Sequence, residues 1–472
     1  MATISSPGIG SGLDVGSIIT QLMAIERAPK DKLASEATKT QTQISEVGKI
    51  TSAVSKLRDL ASKLASSSFW QQTTASSSNA AAVAVTSSSS AAASNFAVNV
   101  TKLAKAQSVV GATTFASATA FVGTGTLTLD MGSWDATQTN FTARTPASGA
   151  SLTIEATDTV ESLRDKINAA GLGISASILT DATGARLVMR SKETGATNGF
   201  AVSVSGATGD LGSLAYPALG AKTATMNNAG SDASATINGL AVTSATNVLT
   251  NVLDGVSLTL NATTTSEVTI NVASDTEAMK KVMQDFASAY SEVVRTIATN
   301  TKYDAASKKA GPLQGDNAIV SVLSRMRGIV GMSSGAAAAF PRLSDIGFEQ
   351  QRDGSLTVNE TRLKNALSNL TDLRKAFSNV DTGDGSTDGF ARRFKAMADG
   401  LLNTDGTLSS RSDGLNEKLR RNQKNQEAIE QRLVQTQKRL EAQYGALDTK
   451  LSASNGLSSY VSQQISQWNK VA

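Results

Sequence analysis

The side chains that most enzymes rely on are missing from this chain. Its 472 residues include no cysteine and no histidine. That removes thiolate nucleophiles, Ser-His-Asp and Cys-His catalysis, and the commonest ligands of zinc and iron. Carboxylates, lysines and hydroxyls remain, and their groupings read better as structure than as chemistry. Asp381-Thr382-Gly383-Asp384-Gly385-Ser386-Thr387-Asp388 looks like a calcium loop, but Gly383 and Gly385 fall where an EF-hand needs side-chain oxygens, so a solvated turn is expected. Pro7-Gly8-Ile9-Gly10-Ser11-Gly12 superficially resembles a phosphate cradle. No strand signal precedes it and no lysine follows at the required spacing, which favours a flexible N-terminal segment. Glu155 with Asp158, or Glu161 with Asp165, offers a glycosidase-like carboxylate pair without any signal of a pocket. Arg420, Arg421, Lys424, Arg432, Lys438 and Arg439 form a basic run, but Glu417, Glu427, Glu430 and Glu441 are interleaved with it, as on a coiled-coil flank. The expectation is a protein that is not an enzyme and carries no cofactor, catalytic residue or metal.

Charge and hydropathy narrow the class further. The 44 basic residues nearly balance the 40 acidic ones, so nucleic acid is not an expected partner. Met1 to Met23 holds no Lys or Arg and no apolar run of signal-peptide type, and no stretch reaches the roughly 18 to 20 apolar residues that span a bilayer. Neither a Sec-type leader nor membrane insertion is expected. The length fits several domains.

The pattern along the chain changes twice. From Pro29 onward Leu33, Ala37, Ile44, Val47, Val54, Leu57, Ala61 and Leu64 recur at helical spacing up to the serines at 66–68. Between Thr73 and Val272 only 12 acidic and 9 basic residues occur, and the period falls to two: Phe96, Val98, Val100; Leu127, Leu129; Leu152, Ile154; Val202, Val204; Val256, Leu258, Leu260; Val268, Ile270, Val272. One helix interrupts these strands, capped by Thr159 and carrying Val160, Leu163, Ile167 and Ala170. Helix resumes at Asp275 or Thr276 with Met279, Val282, Met283, Phe286, Tyr290, Val293, Val294 and Ile297. A glycine-rich loop, a hairpin turning at Asp353-Gly354, and a helix from Asn359 or Thr361 through Leu373 follow.

The strongest periodic signal comes last. Leu415, Leu419, Asn422, Gln426, Ile429, Leu433, Thr436, Leu440, Tyr444, Leu447 and Leu451 step by three or four residues, a heptad seam along about 55 Å of helix. Such a helix buries too little by itself to offset the entropy of ordering it, so it needs a partner: the N-terminal helix, neighbouring copies, or both.

Specific phrases accompany this plan. They are Gly10-Ser11-Gly12-Leu13-Asp14-Val15 with Gln21-Leu22-Met23, Glu26 and Pro29; Ile237-Asn238-Gly239 with Leu253-Asp254-Gly255-Val256; Thr301-Lys302-Tyr303-Asp304; Gly311-Pro312-Leu313 with Gly315-Asp316; and Ile346-Gly347-Phe348 with Asp353-Gly354-Ser355-Leu356. In this order they resemble the flagellar filament cap family, also called flagellar hook-associated protein 2. The stretch Leu152 to Met189, with Ile167-Asn168, is similar to a repeat shared with flagellins, and Tyr444, Leu447 and Tyr460 resemble the family's C-terminal end.

The resemblance implies an α+β multidomain fold: long terminal helices forming a coiled-coil leg, a helical or mixed leg domain, and inserted β-rich head domains. The expected division is an N-terminal helical segment (1–42), a leg domain (43–72 and 273–412), a β-rich head domain (73–110 and 229–272), an outer α+β head domain (111–228) and a C-terminal coiled-coil segment (413–472). It implies a homo-oligomeric ring at the distal filament tip, exported by the flagellar type III apparatus, that contacts flagellin and hook–filament junction proteins. An export chaperone and a host glycan stay open as further partners. The residues expected at partner contacts are Ile18, Leu22, Ile25, Leu415, Leu419, Ile429, Leu433, Leu440, Tyr444, Leu447 and Leu451. A hook–filament junction or flagellin-related protein, and an extracellular adhesin using the β-rich head, are the alternative readings.

Overall fold

The structure, a computed structural model, describes residues 14–306, 308–383 and 385–471, the side chains of 470 and 471 excepted. The glycine phrase at 7–12 and residues 10–13 of the first family phrase lie outside the described residues. Helices run α1 Val15–Ala65, α2 Val160–Ala169, α3 Thr276–Thr301, α4 Asn317–Gly331, α5 Leu343–Ile346, α6 Glu360–Leu367, α7 Leu370–Ser378, α8 Phe390–Leu402 and α9 Thr407–Val471. Strands run β1 Thr73–Ser77, β2 Val83–Ser87, β3 Ser94–Lys102, β4 Ser108–Val110, β5 Gly125–Trp134, β6 Phe141–Ala143, β7 Gly149–Ile154, β8 Ile174–Asp181, β9 Gly184–Ser191, β10 Gly199–Ser205, β11 Thr225–Asn228, β12 Ala233–Ile237, β13 Leu240–Ser244, β14 Val248–Leu253, β15 Val256–Leu260 and β16 Val268–Ser274. The short hairpins β17 Tyr303–Asp304 with β18 Lys309–Ala310, and β19 Phe348–Gln350 with β20 Leu356–Val358, complete the set. The chain divides into two compact units, 1–70 with 276–472, and 71–275.

The first unit is helical. Asp14 caps α1 by accepting from the Ser17 N–H at 2.9 Å, so the helix begins well before Pro29 and carries that proline inside it. Ile25, Glu26 and Pro29 are exposed there, which lets solvent take the carbonyl that proline leaves unpaired. Val47, Ile50, Val54, Leu57, Ala61 and Leu64 of α1 share one core with Met283, Phe286, Tyr290 and Val294 of α3, Ile319 and Met326 of α4, Phe377 of α7 and Phe394 of α8. Rings fill its centre: Phe286 meets Phe394 edge-on at 5.1 Å, and Trp70 stacks on Phe377 at 5.6 Å. Ser291 Oγ donates to the Leu356 carbonyl and accepts from its N–H, both at 2.9 Å, which ties the β19–β20 hairpin to α3.

Two expectations fail in this unit. The stretch after α3 holds α4, capped by Asp316, where only a glycine-rich loop and a hairpin were expected. The helix from Asn359 is two helices, because Asn369 accepts from the Asp372 N–H and restarts the chain as α7.

The second unit is built of antiparallel sheets. A five-stranded sheet, β1-β16-β3-β12-β13, and a three-stranded one, β14-β15-β2, enclose a core of Phe96, Val98, Val100, Ile237, Leu258 and Ile270. A second core, with Leu127, Leu129, Leu187, Met189, Phe200 and Val202, lies between β5 with its neighbours β6, β7 and β10, and the sheet β11-β4-β9-β8. The helix α2 joins this core through Val160, Leu163 and Ile167. Its Thr159–Ser162 capping box fixes the start that the sequence pattern predicts. Thr73 lies opposite Ser274, and the Asp275 N–H donates to the Gln72 carbonyl at 2.9 Å, so the unit's entry and exit are side by side.

Candidate assembly surface

α1 and α9 pack antiparallel. Val15, Ile19 and Met23 at the start of α1 form a small apolar cluster with Leu433, and Ile429, Leu440 and Tyr444 close around it. At the other end Leu408 and Leu415 enter the main core beside the second half of α1. Lys30 forms an ion pair with Glu430, and that hydrogen-bonded lysine holds the Glu430 carboxyl below its ordinary range. Polar seam positions bond along the helix, with Gln426 Nε2 donating to Asn422 Oδ1 at 2.6 Å.

The residues expected at partner contacts therefore divide. Leu415 and Leu433 are buried within this chain, and Leu419, Ile429, Leu440, Tyr444 and Leu451 are half-buried. Ile18 and Leu22 are half-buried, while Ile25 is 73% exposed. The α1 face that meets α9 is Val15-Ile19-Met23, beside the Ile18-Leu22-Ile25 stripe expected at contacts with other proteins. Its signal was present in the four-residue spacing that follows the Asp14 cap. Leu447 is exposed, and so are Leu457, Tyr460, Val461, Ile465 and Trp468, the last at 83%. Val461, Ile465 and Trp468 continue the heptad spacing beyond Leu451, where the sequence reading stopped.

Two of the groupings weighed as chemistry are engaged in structure. Asp381 accepts from the Gly383 and Thr387 N–H groups at 2.7 and 2.8 Å. Arg393 enters the same loop from α8, donating from Nη2 to the Gly385 and Ser386 carbonyls at 2.9 Å and from Nε to the Asp388 carbonyl at 3.0 Å. A guanidinium thus occupies the carbonyl cradle. Burial would raise the pKa of Asp158, but it accepts from Lys166, the Glu155 N–H and Ser162, which together hold its carboxyl below the usual value. Among the described residues no group of three or more acidic side chains is arranged to hold a metal ion, and no helix is long and apolar enough to cross a membrane.

Comparison with known proteins settles the lineage. Residues 11–107 match the model for the flagellar hook-associated protein 2 N-terminus, residues 230–456 the one for its C-terminus, and residues 144–193 the flagellin hook IN motif. The chain belongs to the flagellar hook-associated protein 2 family. The A-type flagellar hook-associated protein 2 of Pseudomonas aeruginosa is 28% identical, over 97% of this chain and 96% of that one. The flagellar hook-associated protein 2 of Salmonella typhimurium is also 28% identical, over the whole of both chains. The crystal structure of the D1-D2-D3 domains of the Escherichia coli flagellar cap protein superposes with a TM-score of 0.59 at 25% identity, covering 79% of this chain and 99% of that one. The family models embrace both α1 and the seam of α9 through residue 456, and the hook IN motif takes in α2 with β7, β8 and β9.

Proposed function

We infer that this protein is a flagellar filament cap, which acts outside the cell at the filament tip, promotes the folding and insertion of exported flagellin, and prevents its loss. The observation that carries this reading is the match of the family's N- and C-terminal models at 11–107 and 230–456, with relatives that align over 97% of this chain or more. The work required is steric and conformational, and needs no covalent step.

The finer picture is our proposal. The α1–α9 pair would act as a coiled-coil leg, the helical residues 43–72 and 273–412 as its supporting domain, and the β-rich residues 73–272 as an inner head (73–110 and 229–272) and an outer head (111–228). The legs of a homo-oligomeric ring would contact flagellin and the hook–filament junction proteins. Export would run through the flagellar type III apparatus. Exposed Ile25 and Val434, and the bare stripe from Leu447 to Trp468, are the apolar surface such contacts need. An export chaperone that shelters this stripe before secretion is consistent with the same exposure.

A strain lacking the gene tests the reading. Flagellin monomers should accumulate in the medium and filaments should be short or absent. The full chain should restore them, and a chain truncated at Asp413 should not. An Ile25→Asp variant keeps the Val15-Ile19-Met23 packing intact and should still be secreted and folded, yet cap poorly. Filaments of normal length in the deletion strain would overturn the cap assignment.

A further inference from the structure

A free sheet edge is a row of unpaired backbone donors and acceptors, and folded proteins defend such edges with charges, bulges, prolines or covering groups. Several edges of the β-rich unit are defended. Along β8, Asn168 of α2 accepts from the Ala176 N–H at 2.8 Å and donates to its carbonyl at 3.0 Å. Tyr216 exchanges both backbone bonds with Val202 of β10 at 2.8 Å. Lys166 donates to the Thr153 carbonyl of β7, and β14 is interrupted by a register shift between Leu249 and Leu253, with Asn251 left-handed at φ 51°.

β13 carries no such device. It is the terminal strand of its sheet, and its pairing with β12 is unbroken from Ile237↔Leu240 to Ala233↔Ser244. The two-residue turn between them is Asn238-Gly239, with φ of 48° and 81°, the geometry of a tight hairpin. The Asn238 N–H donates to Ala97 of β3, so the even positions of β12 bond β3 and the odd positions bond β13. Leu240, Val242 and Ser244 therefore direct their backbone groups to β12, and Ala241 and Thr243 direct theirs outward. Both of the latter are exposed, and among the described residues neither has a backbone partner outside its own strand pair.

Side chains point the same way. Leu240 shares the face of its buried cross-strand neighbour Ile237, yet is 75% exposed, and Val242 sits half-buried at the margin of the same core. The core row continues onto the edge strand and stops short of being covered. From Ala233 to Leu253 there is no charged residue in 21. The strand itself thus carries no charge to attract a charged peptide, whereas a second copy of the same neutral strand meets no repulsion.

We propose that β13 is a homotypic docking edge, where two copies of this protein pair their β13 strands antiparallel about a two-fold axis through Val242. Ala241 of one copy then lies opposite Thr243 of the other, and the outward N–H and carbonyl groups of both exchange hydrogen bonds. Val242 faces its own counterpart at a non-hydrogen-bonded position, and Leu240 gains cover from the added strand. This interface is isologous, so it joins copies in pairs and does not by itself close a ring. It stands independently of the cap reading.

The absence of native cysteine makes the test direct. In a non-hydrogen-bonded antiparallel pair the Cα atoms lie about 4.5 Å apart, inside the roughly 4.4–6.8 Å range of disulfides. Full-length Val242→Cys should form a disulfide-linked dimer under mild oxidation. Ser244→Cys, whose counterpart is Leu240, should cross-link little. Adding Ala241→Lys and Thr243→Lys to Val242→Cys sets like charges directly opposite and should cut the dimer yield about tenfold. Circular dichroism checks that each variant is folded, and Thr243→Lys alone replaces the double change if that one misfolds. No dimer from Val242→Cys, an equal yield from Ser244→Cys, or a yield indifferent to the lysines would overturn the proposal, whatever the deletion strain shows.

Discussion

Tyr290 shows how a single atom can be costly inside a good core. Its ring is fully buried and meets Phe394 edge-on at 6.0 Å, but its hydroxyl is buried without a hydrogen-bond partner among the described residues. Ring burial stabilises α3 against α8, while the desolvated hydroxyl subtracts from that gain. Tyr290→Phe keeps the ring and removes the orphan, so we expect it to stabilise the helical unit by about 1 kcal/mol, read as a higher denaturant midpoint. Burial also pushes the Tyr290 pKa up to about 12. A raised pKa means that the folded state holds its proton more tightly than the unfolded chain. The associated stability is intact below about pH 10 and is lost as pH climbs toward 12. The advantage of the phenylalanine variant should therefore widen over that alkaline window. A destabilised variant would mean that the hydroxyl has a partner such as an enclosed water.

At the scale of elements, the terminal helices were legible as helices and only partly legible as surfaces. The seam from Leu415 to Leu451 is unambiguous because heptad spacing survives its polar interruptions. On α1 the sequence Ile18-Ile19-Gln21-Leu22-Met23-Ile25 carries two overlapping stripes, and only packing on α9 selects between them. α4 was missed because Gly328, Gly331 and Gly335 read as loop. Its capping residue Asp316 is fixed by Arg411 of α9, 2.6 Å away, a contact nearly a hundred residues distant in sequence. The bare end of α9 was missed for the opposite reason, since Ser452, Ser454, Asn455, Gly456, Ser458 and Ser459 are poor helix formers that mask the continuing heptads. Leu433 and Leu457 should thus behave differently. Leu433→Ala removes a buried contact between α1 and α9 and should cost about 2 to 3 kcal/mol. Leu457→Ala removes an exposed side chain and should change stability by less than about 0.5 kcal/mol. Amide hydrogen exchange over residues 15–25 and 429–444 separates them: protection should fall for the first variant and hold for the second. Equal losses would mean that the α1–α9 cluster is not what orders these segments.

On the scale of the whole molecule, the chain leaves the helical unit at residue 70 and returns to it at residue 276. The strands that begin and end the inserted stretch are paired, from Thr73↔Ser274 to Ser77↔Ile270. That closure is what an insertion needs in order to fold without its host, because the ends are held by a ladder and loop closure adds little further cost. The unit also keeps its own two cores, and Gln107, fully buried, clamps Phe200 through both its carbonyl and its N–H at 2.7 and 2.8 Å. Its strands were legible from alternation alone, whereas their sheet order was not, since β3 pairs with β12 and β16 across more than a hundred residues. We therefore expect a fragment of residues 71–275 to fold alone, with a β-rich circular dichroism spectrum and a single cooperative transition. Its midpoint should lie within about 4 °C of the same transition in the full chain, which for a unit of this size corresponds to roughly 1 to 2 kcal/mol. An unfolded or non-cooperative fragment would show that the helical unit supplies stability that the β1–β16 closure does not. A native-like one would show that the protein carries its β-rich unit as a preassembled module, free to regain its structure independently of the long helices that need partners.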